Sequence, residues 1–234
     1  DEKNPLDEKI IIIDEASMID INLTEALLRA TRGGSRVILI GDSEQLPPVG
    51  NGNVLNDIID SGRFNVVRLS EIFRQAQDSL IVTNAHKINN GEPPTLDRTD
   101  GDFFHVLRTS DDTVATTVAS LITERLPKTY GKNIIEKIQV ITPSRKGRAG
   151  TESLNTLLRD KLNPSNKAKA ELEVKGTLFR EGDRVMQIKN DYEIEWDKGS
   201  YHGYGIFNGD IGVIREINKD EFTAVIDFDD RVAY

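Results

Sequence analysis

Two groups of acidic and polar residues in this sequence have the types and spacing that phosphate chemistry requires. Asp14 and Glu15 directly follow the β-branched run Ile10–Ile13, and residues 41–50, GDSEQLPPVG, directly follow a second apolar run at residues 37–40. Transfer of a phosphoryl group needs a metal ion that neutralises phosphate oxygens and a group that orients the attacking water. An Asp at the end of a strand can hold Mg²⁺ through water, and an adjacent Glu can polarise the nucleophile.

A structural interpretation of the Asp14-Glu15 pair competes with the chemical one. Acidic residues are favourable at the first turn of a helix, because they interact with the positive end of the helix dipole. The dipeptide alone does not separate the two interpretations. The second polar group, expected at the same edge of the sheet, favours the chemistry.

The elements that position these residues are predicted to form a β-α-β unit. Continuous apolar runs such as Ile10–Ile13 and residues 37–40 are typical of parallel strands that are covered on both faces. Residues 22–30 have helical spacing, and Gly33 with Gly34 ends the helix. Strands joined by such a crossover run in the same direction, so both polar groups should lie at the carboxyl edge, where open parallel sheets bind ligands.

A second α/β block and a β-rich block are predicted to follow. After a short helix and a strand, the pattern restarts and predicts alternating helices and buried strands: helix Val54–Ser61, strand Val66–Leu69, helix Ser79–Asn89, strand Phe103–Leu107, helix Thr113–Leu126, strand Ile138–Ile141 and helix Thr151–Leu162. From about Lys175 the period changes to two, which predicts a small β-barrel with strands Arg184–Lys189, Ile211–Ile217 and Phe222–Phe228. Residues 191–205 are polar and contain three glycines, so we expect a loop or mobile hairpin.

Composition limits the classes of function. The 234 residues are 37% hydrophobic and 29% charged, with a net charge of −9. That charge argues against extensive phosphate binding over the surface, whereas a local basic channel stays compatible with it. Cys is absent, which excludes disulfides and thiolate metal sites, and the separation of His86, His105 and His202 disfavours a histidine metal site.

The sequence carries no signal for a membrane or for export. No apolar run approaches the roughly 18 to 20 residues that cross a bilayer, and the first residues are acidic and polar rather than those of a signal peptide. We therefore expect a cytoplasmic protein with no membrane partner. The chain starts without Met, so we expect it to be a piece of a longer protein.

Five segments resemble motifs of one enzyme family, in the family's order. Residues 14–17, DEAS, resemble the Walker B motif of superfamily 1 helicases, and residues 41–50 resemble their motif III. The other three are similar to motif IV of the RecD branch, to a later strand-end loop and to an inserted SH3-like barrel: residues 69–76, LSEIFRQA, residues 142–147, TPSRKG, and residues 182–187 with 207–212. Because the matches span nearly the whole chain, the resemblance to RecD-like helicases is specific.

The resemblance implies a fold and an activity. The fold class is α/β, with parts of two RecA-like P-loop-type parallel-sheet domains (residues 1–70 and 71–176) followed by an SH3-like β-barrel (residues 177–234). The activity is that of an ATP-dependent DNA helicase moving 5′ to 3′ in recombination or repair. ATP and Mg²⁺ are the expected cofactors and single-stranded DNA the expected partner. Subunits of a recombination nuclease are further candidate partners, and we expect a monomer.

The resemblance also assigns roles to residues of the nucleotide site. Asp14 would hold Mg²⁺, Glu15 would be the catalytic base, and Asp42 would face the nucleotide. Gln45 would sense the γ-phosphate. Arg74 would reach the γ-phosphate as an arginine finger, a role worth roughly 10³–10⁵ in rate in related NTPases; its alternative is a surface ion pair with Glu71.

Other residues are candidates for contact with nucleic acid. The resemblance implies that Gln45 is coupled to DNA through the loop that holds Pro47 and Val49. The basic cluster at residues 145–148 (Arg145, Lys146 and Arg148) follows a predicted strand, and we hypothesise that it grips a DNA or nucleotide phosphate; an ordinary solvated loop is the alternative. Aromatic residues between 192 and 204 could stack on bases, but neighbouring acids oppose this because they repel phosphate: Tyr192, Trp196, Tyr201 and Tyr204 among Asp191, Glu193, Glu195 and Asp197.

The sequence has no Gly-x-x-x-x-Gly-Lys-Ser/Thr loop, whose backbone amides and Lys cradle phosphates. We therefore predict that these 234 residues alone neither bind ATP tightly nor unwind DNA. Two alternatives stay open. One is the helicase half of a conjugative relaxase, and the other is a non-catalytic nucleic-acid-binding module that retains the helicase fold.

Overall fold

The structure is a computed structural model that describes residues 4–69 and 78–234. The chain divides into two compact units, residues 1–106 and residues 107–234, and each is described by itself. The three domains expected from the sequence, at residues 1–70, 71–176 and 177–234, stay a prediction.

The first unit is built on the predicted β-α-β arrangement. Its elements in chain order are β1 (Ile10–Ile13), a 3-10 turn (Ala16–Met18), α1 (Ile21–Ala30), β2 (Arg36–Leu39), α2 (Val54–Asp60) and α3 (Leu80–Asn89). β1 and β2 pair in parallel, with Ile10 opposite Arg36 and Ile13 opposite Leu39. α1 starts where the Asp20 carboxylate accepts a hydrogen bond from the Leu23 amide at 2.8 Å, a standard N-cap interaction.

The prediction that these strands are covered on both faces is wrong. Burial alternates along both strands. Ile11 and Ile13 are half-buried, whereas Ile10 and Ile12 are 57% and 59% exposed. Because successive side chains point to opposite faces of a strand, one face of this two-stranded sheet has no covering layer among the described residues.

Three further predicted strands are also wrong. Val66–Leu69 and Phe103–Leu107 were expected to be strands, as was Ile138–Ile141, and the structure places each outside helix and strand. A strand needs a neighbour that accepts and donates its ladder hydrogen bonds. In the described parts of the chain, none of the three segments pairs with another strand.

The helices of the second unit are α4 (Asp111–Ser120), α5 (Leu126–Tyr130) and α6 (Thr151–Leu162), with a π turn (Leu121–Arg125) between α4 and α5 and a 3-10 segment (Lys132–Lys137) after α5. α4 begins at a reciprocal capping box of Ser110 and Thr113. The predicted helix Thr113–Leu126 lies inside this longer run. The π turn ends at Arg125, two residues before Pro127, whose missing amide hydrogen interrupts regular helical bonding.

Among the residues that the structure describes, no helix combines the length and the apolar composition needed to cross a membrane.

The rest of the second unit is antiparallel. Its strands are β3 (Glu171–Val174), β4 (Thr177–Arg180), β5 (Arg184–Met186), β6 (Asp191–Lys198), β7 (Tyr201–Ile206), β8 (Ile211–Asn218), β9 (Thr223–Phe228) and β10 (Arg231–Ala233). β3 and β4 form a hairpin, and the other six form one sheet in the order β5-β8-β9-β10-β6-β7. Ile206, Phe228 and Ala233 are its buried core. The predicted change to a period of two is confirmed.

Residues 191–205 lie in the hairpin β6–β7, which is the second of the two predicted alternatives. Lys198 pairs with Tyr201 across a two-residue turn, and Gly199 at its first position has φ 61, as such tight hairpins require. Trp196 lies opposite Gly203, and a Cβ at position 203 would lie 2.3 Å from the Trp196 ring. The glycines therefore make room for an aromatic side chain instead of marking a loop.

A buried polar network joins the end of α6 to the β3–β4 hairpin and the sheet. Arg180, 4% exposed, donates from Nε to Glu171 Oε1 at 2.5 Å and from Nη1 to the Asn163 carbonyl. The Asp183 carboxylate accepts from the Arg180 amide at 2.9 Å and from Asn163 Nδ2 at 2.7 Å. Buried charges are tolerated when they are paired and hydrogen-bonded in this way.

Candidate functional site

The turn after β1 holds the first pair of predicted site residues. The Ile40 amide donates to the Ile13 carbonyl, and the Ala16 amide donates to the Ile40 carbonyl, each at 2.8 Å. These two hydrogen bonds continue the contact between the strands past their ends. Asp14 and Glu15, which lie between them, are exposed to solvent.

Glu15 has an unusual backbone conformation. Its φ of 52 and ψ of 39 lie in the left-handed region, which costs a non-glycine residue roughly 1 to 2 kcal/mol. The Glu15 amide donates a hydrogen bond to Asp14 Oδ1 at 2.9 Å rather than to the neighbouring strand. Strained backbones of this kind concentrate at functional sites. No pattern in the sequence predicts this left-handed conformation.

The loop 41–50 leaves β2 at the same edge and packs against that turn. A Cβ at Gly41 would lie 2.9 Å from the Ser17 amide nitrogen, so the close approach requires glycine. Asp42 orders the next residues by accepting the Glu44 amide at 2.9 Å. Gln45 and Val49 are exposed.

A shallow polar recess lies between the turn and the loop. Ser17 is 6% exposed, and its hydroxyl has no hydrogen-bond partner among the described residues. Asn56 Nδ2 donates to the Ser43 carbonyl at 3.2 Å across the recess. The lining residues are Ser17, Asp42, Ser43, Gln45, Leu46, Pro47, Asn53, Leu55 and Asn56.

The structure thus brings together some of the predicted residues and not others. Asp42, Gln45 and Pro47 line one recess. Asp14 and Glu15 follow β1 at the same edge of the sheet without lining it. The motif predicted from the sequence at residues 14–17 includes Ser17 but assigns it no role. Asn56 was not predicted, because a lone Asn in a short helix carries no distinctive pattern.

The second predicted contact region, the basic loop 142–150, lies in the other unit. Arg145 Nε donates to Glu152 Oε1 at 2.9 Å, and Arg148 Nε donates to Asp112 Oδ1 at 2.7 Å. Both arginines are mostly exposed, at 83% and 75%. Lys146 is exposed as well, and no ion pair involving it is found in the described parts of the chain.

Comparison with known proteins decides the family. Residues 154–228 match the SH3 domain of ATP-dependent RecD-like DNA helicases, and residues 2–106 match an AAA domain. The ATP-dependent RecD2 DNA helicase of Deinococcus radiodurans is 33% identical over 229 residues, which is 97% of this chain. The chain belongs to the RecD-like helicase family.

This RecD-like chain spans a minor part of its relatives. It covers 28% of the Deinococcus helicase. The RecD subunit of the Mycobacterium tuberculosis RecBCD enzyme is 43% identical over 60 residues, 26% of this chain and 10% of that protein. A Bacteroides Pif1 helicase crystallised with ADP-AlF3 and single-stranded DNA is 20% identical, with a TM-score of 0.48 over 97% of this chain and 52% of that one.

The predicted family and fold class are confirmed. The chain is mixed α/β, with a parallel strand pair in the AAA-matched unit and antiparallel strands in the region matched to the RecD-like SH3 domain. The predicted arginine finger, Arg74, lies outside the described residues together with most of the motif that contains it. The roles assigned to individual residues stay predictions.

The aromatic hairpin of this RecD-like chain offers less stacking surface than its sequence implied. Trp196 packs over Gly203 and under Arg231, whose guanidinium lies 5.9 Å from the ring centroid. Tyr192 contacts Phe207 edge to face. Of the four predicted stacking residues, Tyr192, Tyr201 and Tyr204 are exposed, whereas Trp196 is half-buried.

Asp14 fits the predicted contact with Mg²⁺ in a RecD-like site. Among the described residues there is no group of three or more His, Asp or Glu side chains that could hold a metal by themselves. Mg²⁺ in nucleotide sites usually keeps several waters and takes one or two carboxylates plus substrate phosphates. A single exposed Asp with one oxygen bound to the Glu15 amide is compatible with that mode.

Proposed function

We propose that this chain is the central segment of an ATP-dependent DNA helicase that moves along single-stranded DNA. The observation that supports the proposal is the meeting of two motifs at one sheet edge. The Asp14-Glu15 turn and the loop 41–50 leave adjacent parallel strands, and the Ala16 amide bonds to the Ile40 carbonyl between them. The 5′ to 3′ direction and a role in recombination or repair rest on the family resemblance alone.

In this proposal the turn acts on the metal ion and the attacking water, and the loop contacts the nucleotide. Asp14 would hold Mg²⁺, and the ion would supply neutralisation of phosphate charge. Glu15 orients the attacking water and accepts its proton. Asp42 and Gln45, which lie beside the buried Ser17 hydroxyl, face the nucleotide, and Gln45 senses the γ-phosphate.

The DNA strand is held by exposed parts of the chain. Pro47 and Val49 lie on the loop that also holds Gln45, so movement of this loop couples nucleotide state to DNA. Arg145, Lys146 and Arg148 bind backbone phosphates, an electrostatic contact that does not depend on base sequence. The net charge of −9 restricts phosphate binding to such local clusters.

These 234 residues on their own are proposed to be inactive, because no phosphate-binding loop of the Walker A type occurs among them. An assay of Mg²⁺-dependent ATP turnover by the chain alone tests this statement. Turnover that is lost in Glu15→Gln would contradict it. We further propose a cytoplasmic monomer, with assembly into a nuclease as a second state.

The decisive experiment is DNA-stimulated ATPase of the full-length protein. We expect single-stranded DNA to raise wild-type turnover, and both Glu15→Gln and Arg74→Ala to lose about 10²-fold or more. Glu8→Gln and Arg68→Ala are matched controls, because these exposed residues lie outside the motifs and should keep wild-type turnover.

Other outcomes would replace the proposal. If the full-length protein hydrolyses no ATP with or without DNA, a non-catalytic nucleic-acid-binding module is the better description. If it also nicks supercoiled plasmid, the helicase half of a relaxase is favoured.

A further inference from the structure

The basic loop 142–150 lies between the first turns of two helices. Arg145 pairs with Glu152 in the first turn of α6, and Arg148 pairs with Asp112 in the first turn of α4. α4 and α6 pack against each other. Each arginine is therefore tied to a different helix of one packed pair.

The loop backbone is internally fixed. Thr142 Oγ1 donates to the Ala149 carbonyl at 2.8 Å, and Ser144 Oγ donates to the Lys146 carbonyl at 2.7 Å. A Cβ at Gly150 would lie 2.4 Å from the Lys146 carbonyl oxygen, so this tight path requires glycine. The loop consequently presents its side chains from a defined backbone.

The amides at the start of α6 are already engaged. The Thr151 amide donates to the Ser144 carbonyl at 3.1 Å, and the Glu152 amide donates to the Arg145 carbonyl at 3.2 Å. Helix N-termini bind anions through such amides when these are free. Here an anion must rely on the side chains of the loop instead.

Arg145 and Arg148 each form their ion pair through Nε rather than through a terminal Nη atom. Arg145 and Arg148 each give Nε to a carboxylate, and no hydrogen bond of their terminal Nη atoms is found within the described residues. A guanidinium held at Nε keeps its Nη pair free for bidentate contact with a phosphate. The carboxylates thus restrict the rotamers of the arginines without using their outer nitrogens.

We infer that Glu152 and Asp112 are positioning residues that orient Arg145 and Arg148 toward a nucleic-acid phosphate. This inference rests on the proposed function, in which the loop contacts the backbone of single-stranded DNA. Orientation lowers the entropy that each arginine loses when it binds. The acids therefore strengthen phosphate binding, although they carry the same charge sign as phosphate.

Asp111 provides a matched control for charge. It neighbours Asp112 in the first turn of α4, and its Oδ2 lies 3.5 Å from the position of a Cβ at Gly147. Asp111 has no arginine partner within the part of the chain that the structure describes. If acids near the loop act only by repelling DNA, removal of Asp111, Asp112 or Glu152 should raise affinity alike.

The test is binding of a labelled oligothymidylate to the full-length protein without nucleotide, by fluorescence anisotropy over a series of salt concentrations. Arg145→Ala and Arg148→Ala should each lower the slope of log affinity against log salt by about 0.7. Glu152→Ala and Asp112→Ala should weaken binding about two- to tenfold, the effect of one side chain that must be ordered on binding. Asp111→Ala should bind as tightly as the wild type or more tightly.

A conservative variant separates orientation from charge. Glu152→Gln keeps an oxygen acceptor for Arg145 Nε but has no charge, so it should bind more tightly than Glu152→Ala. Thermal unfolding of every variant checks that the fold is retained. Loss of either exposed ion pair should change the midpoint of unfolding little.

The outcomes distinguish the two levels of the proposal. If the arginine variants leave the salt slope unchanged, the loop does not contact phosphate, and the proposed DNA contact fails together with the inference. If they lower the slope but Glu152→Ala and Asp112→Ala bind as tightly as wild type, the positioning role alone is overturned.

Discussion

The turn after β1 and the network around Arg180 both hold buried polar groups at the ends of elements, and they differ in how those groups are satisfied. In the network, Arg180, Asp183 and Asn163 all make hydrogen bonds. At the turn, the Ser17 hydroxyl has no partner among the described residues, and Glu15 occupies a left-handed conformation.

This difference is expected if the turn belongs to the proposed nucleotide site and the network serves only to stabilise the fold. Buried polar groups are nearly always paired in native proteins, so an exception calls for an explanation. A site that must accept a nucleotide keeps donors and acceptors free until that ligand arrives. We therefore expect the free hydroxyl of Ser17 and the strained backbone of Glu15 to lower the free energy of unfolding of the first unit.

The largest expected effect is in the network. Arg180→Met keeps the apolar stem but removes the guanidinium from the half-buried Glu171 and from the carbonyl of the buried Asn163. Loss of the hydrogen bond from the charged guanidinium to the Asn163 carbonyl alone should cost roughly 1.5 to 3 kcal/mol. The only Trp of the chain, Trp196, lies in this unit, so urea unfolding followed by its fluorescence reports the change. The control is Arg215→Met, which removes the ion pair between an exposed arginine and the half-buried Asp227 and should cost less than Arg180→Met, because the Arg215 guanidinium is solvated when unpaired. Equal losses in the two variants would contradict the comparison.

At Ser17 we expect a substitution to raise the free energy of unfolding rather than lower it. Ser17→Ala removes an unsatisfied buried hydroxyl, whose burial costs about 1 to 3 kcal/mol, so the first unit should become more stable. Hydrogen exchange of the Ala16 and Ile40 amides, which bond across the turn, measures this locally. Slower exchange in the variant supports the prediction, and faster exchange would mean that Ser17 has a stabilising partner. Ser43→Ala, a half-buried neighbour in the recess, is the control.

A smaller gain is expected when the backbone strain at Glu15 is relieved. Gly occupies the left-handed region freely, so Glu15→Gly should stabilise the first unit by roughly 0.5 to 1 kcal/mol while it abolishes the proposed catalysis. The same exchange measurement applies. Glu44→Gly, at an exposed residue without a positive φ, should instead destabilise, because glycine adds freedom to the unfolded chain. Destabilisation in both variants would show that Glu15 is not strained.

The smallest expected effect concerns pH in the second unit. Hydrogen bonds from the Arg180 guanidinium and from Ser165 hold the pKa of the Glu171 carboxyl below its usual value of 4.5. A carboxyl with a lowered folded pKa contributes stability above its unfolded pKa, and that contribution is lost as the pH falls through the folded value. Urea midpoints should therefore fall less between pH 5 and pH 3 in Glu171→Gln than in the wild type. Parallel declines in both proteins would exclude this role for Glu171.

The sequence predicted the elements that local pattern determines. The sequence predicts the strand Ile10–Ile13 and the helix Thr151–Leu162, because a continuous β-branched run and helical spacing are local properties. Val66–Leu69 and Ile138–Ile141 failed because an apolar run becomes a strand only where a neighbouring strand pairs with it. The pattern left a loop and a hairpin open for residues 191–205, because the role of Gly203 depends on Trp196, a residue seven positions away.

The sequence likewise predicts only those features of the candidate site that depend on local pattern. Asp42 and Gln45 could be placed together because both follow one strand. Ser17 could not, since neither its burial nor its lack of a partner is encoded in its own type. The pairing of Arg148 with Asp112 joins residues that are 36 positions apart, and no local pattern reveals it.

The packing of Trp196 on Gly203 has an evolutionary consequence. A side chain at position 203 would place its Cβ 2.3 Å from the Trp196 ring, so neither position can drift independently. Lineages that replace the glycine should first have exchanged the tryptophan for a smaller residue. The two positions should therefore be inherited as a pair, while the exposed tyrosines beside them are free to vary.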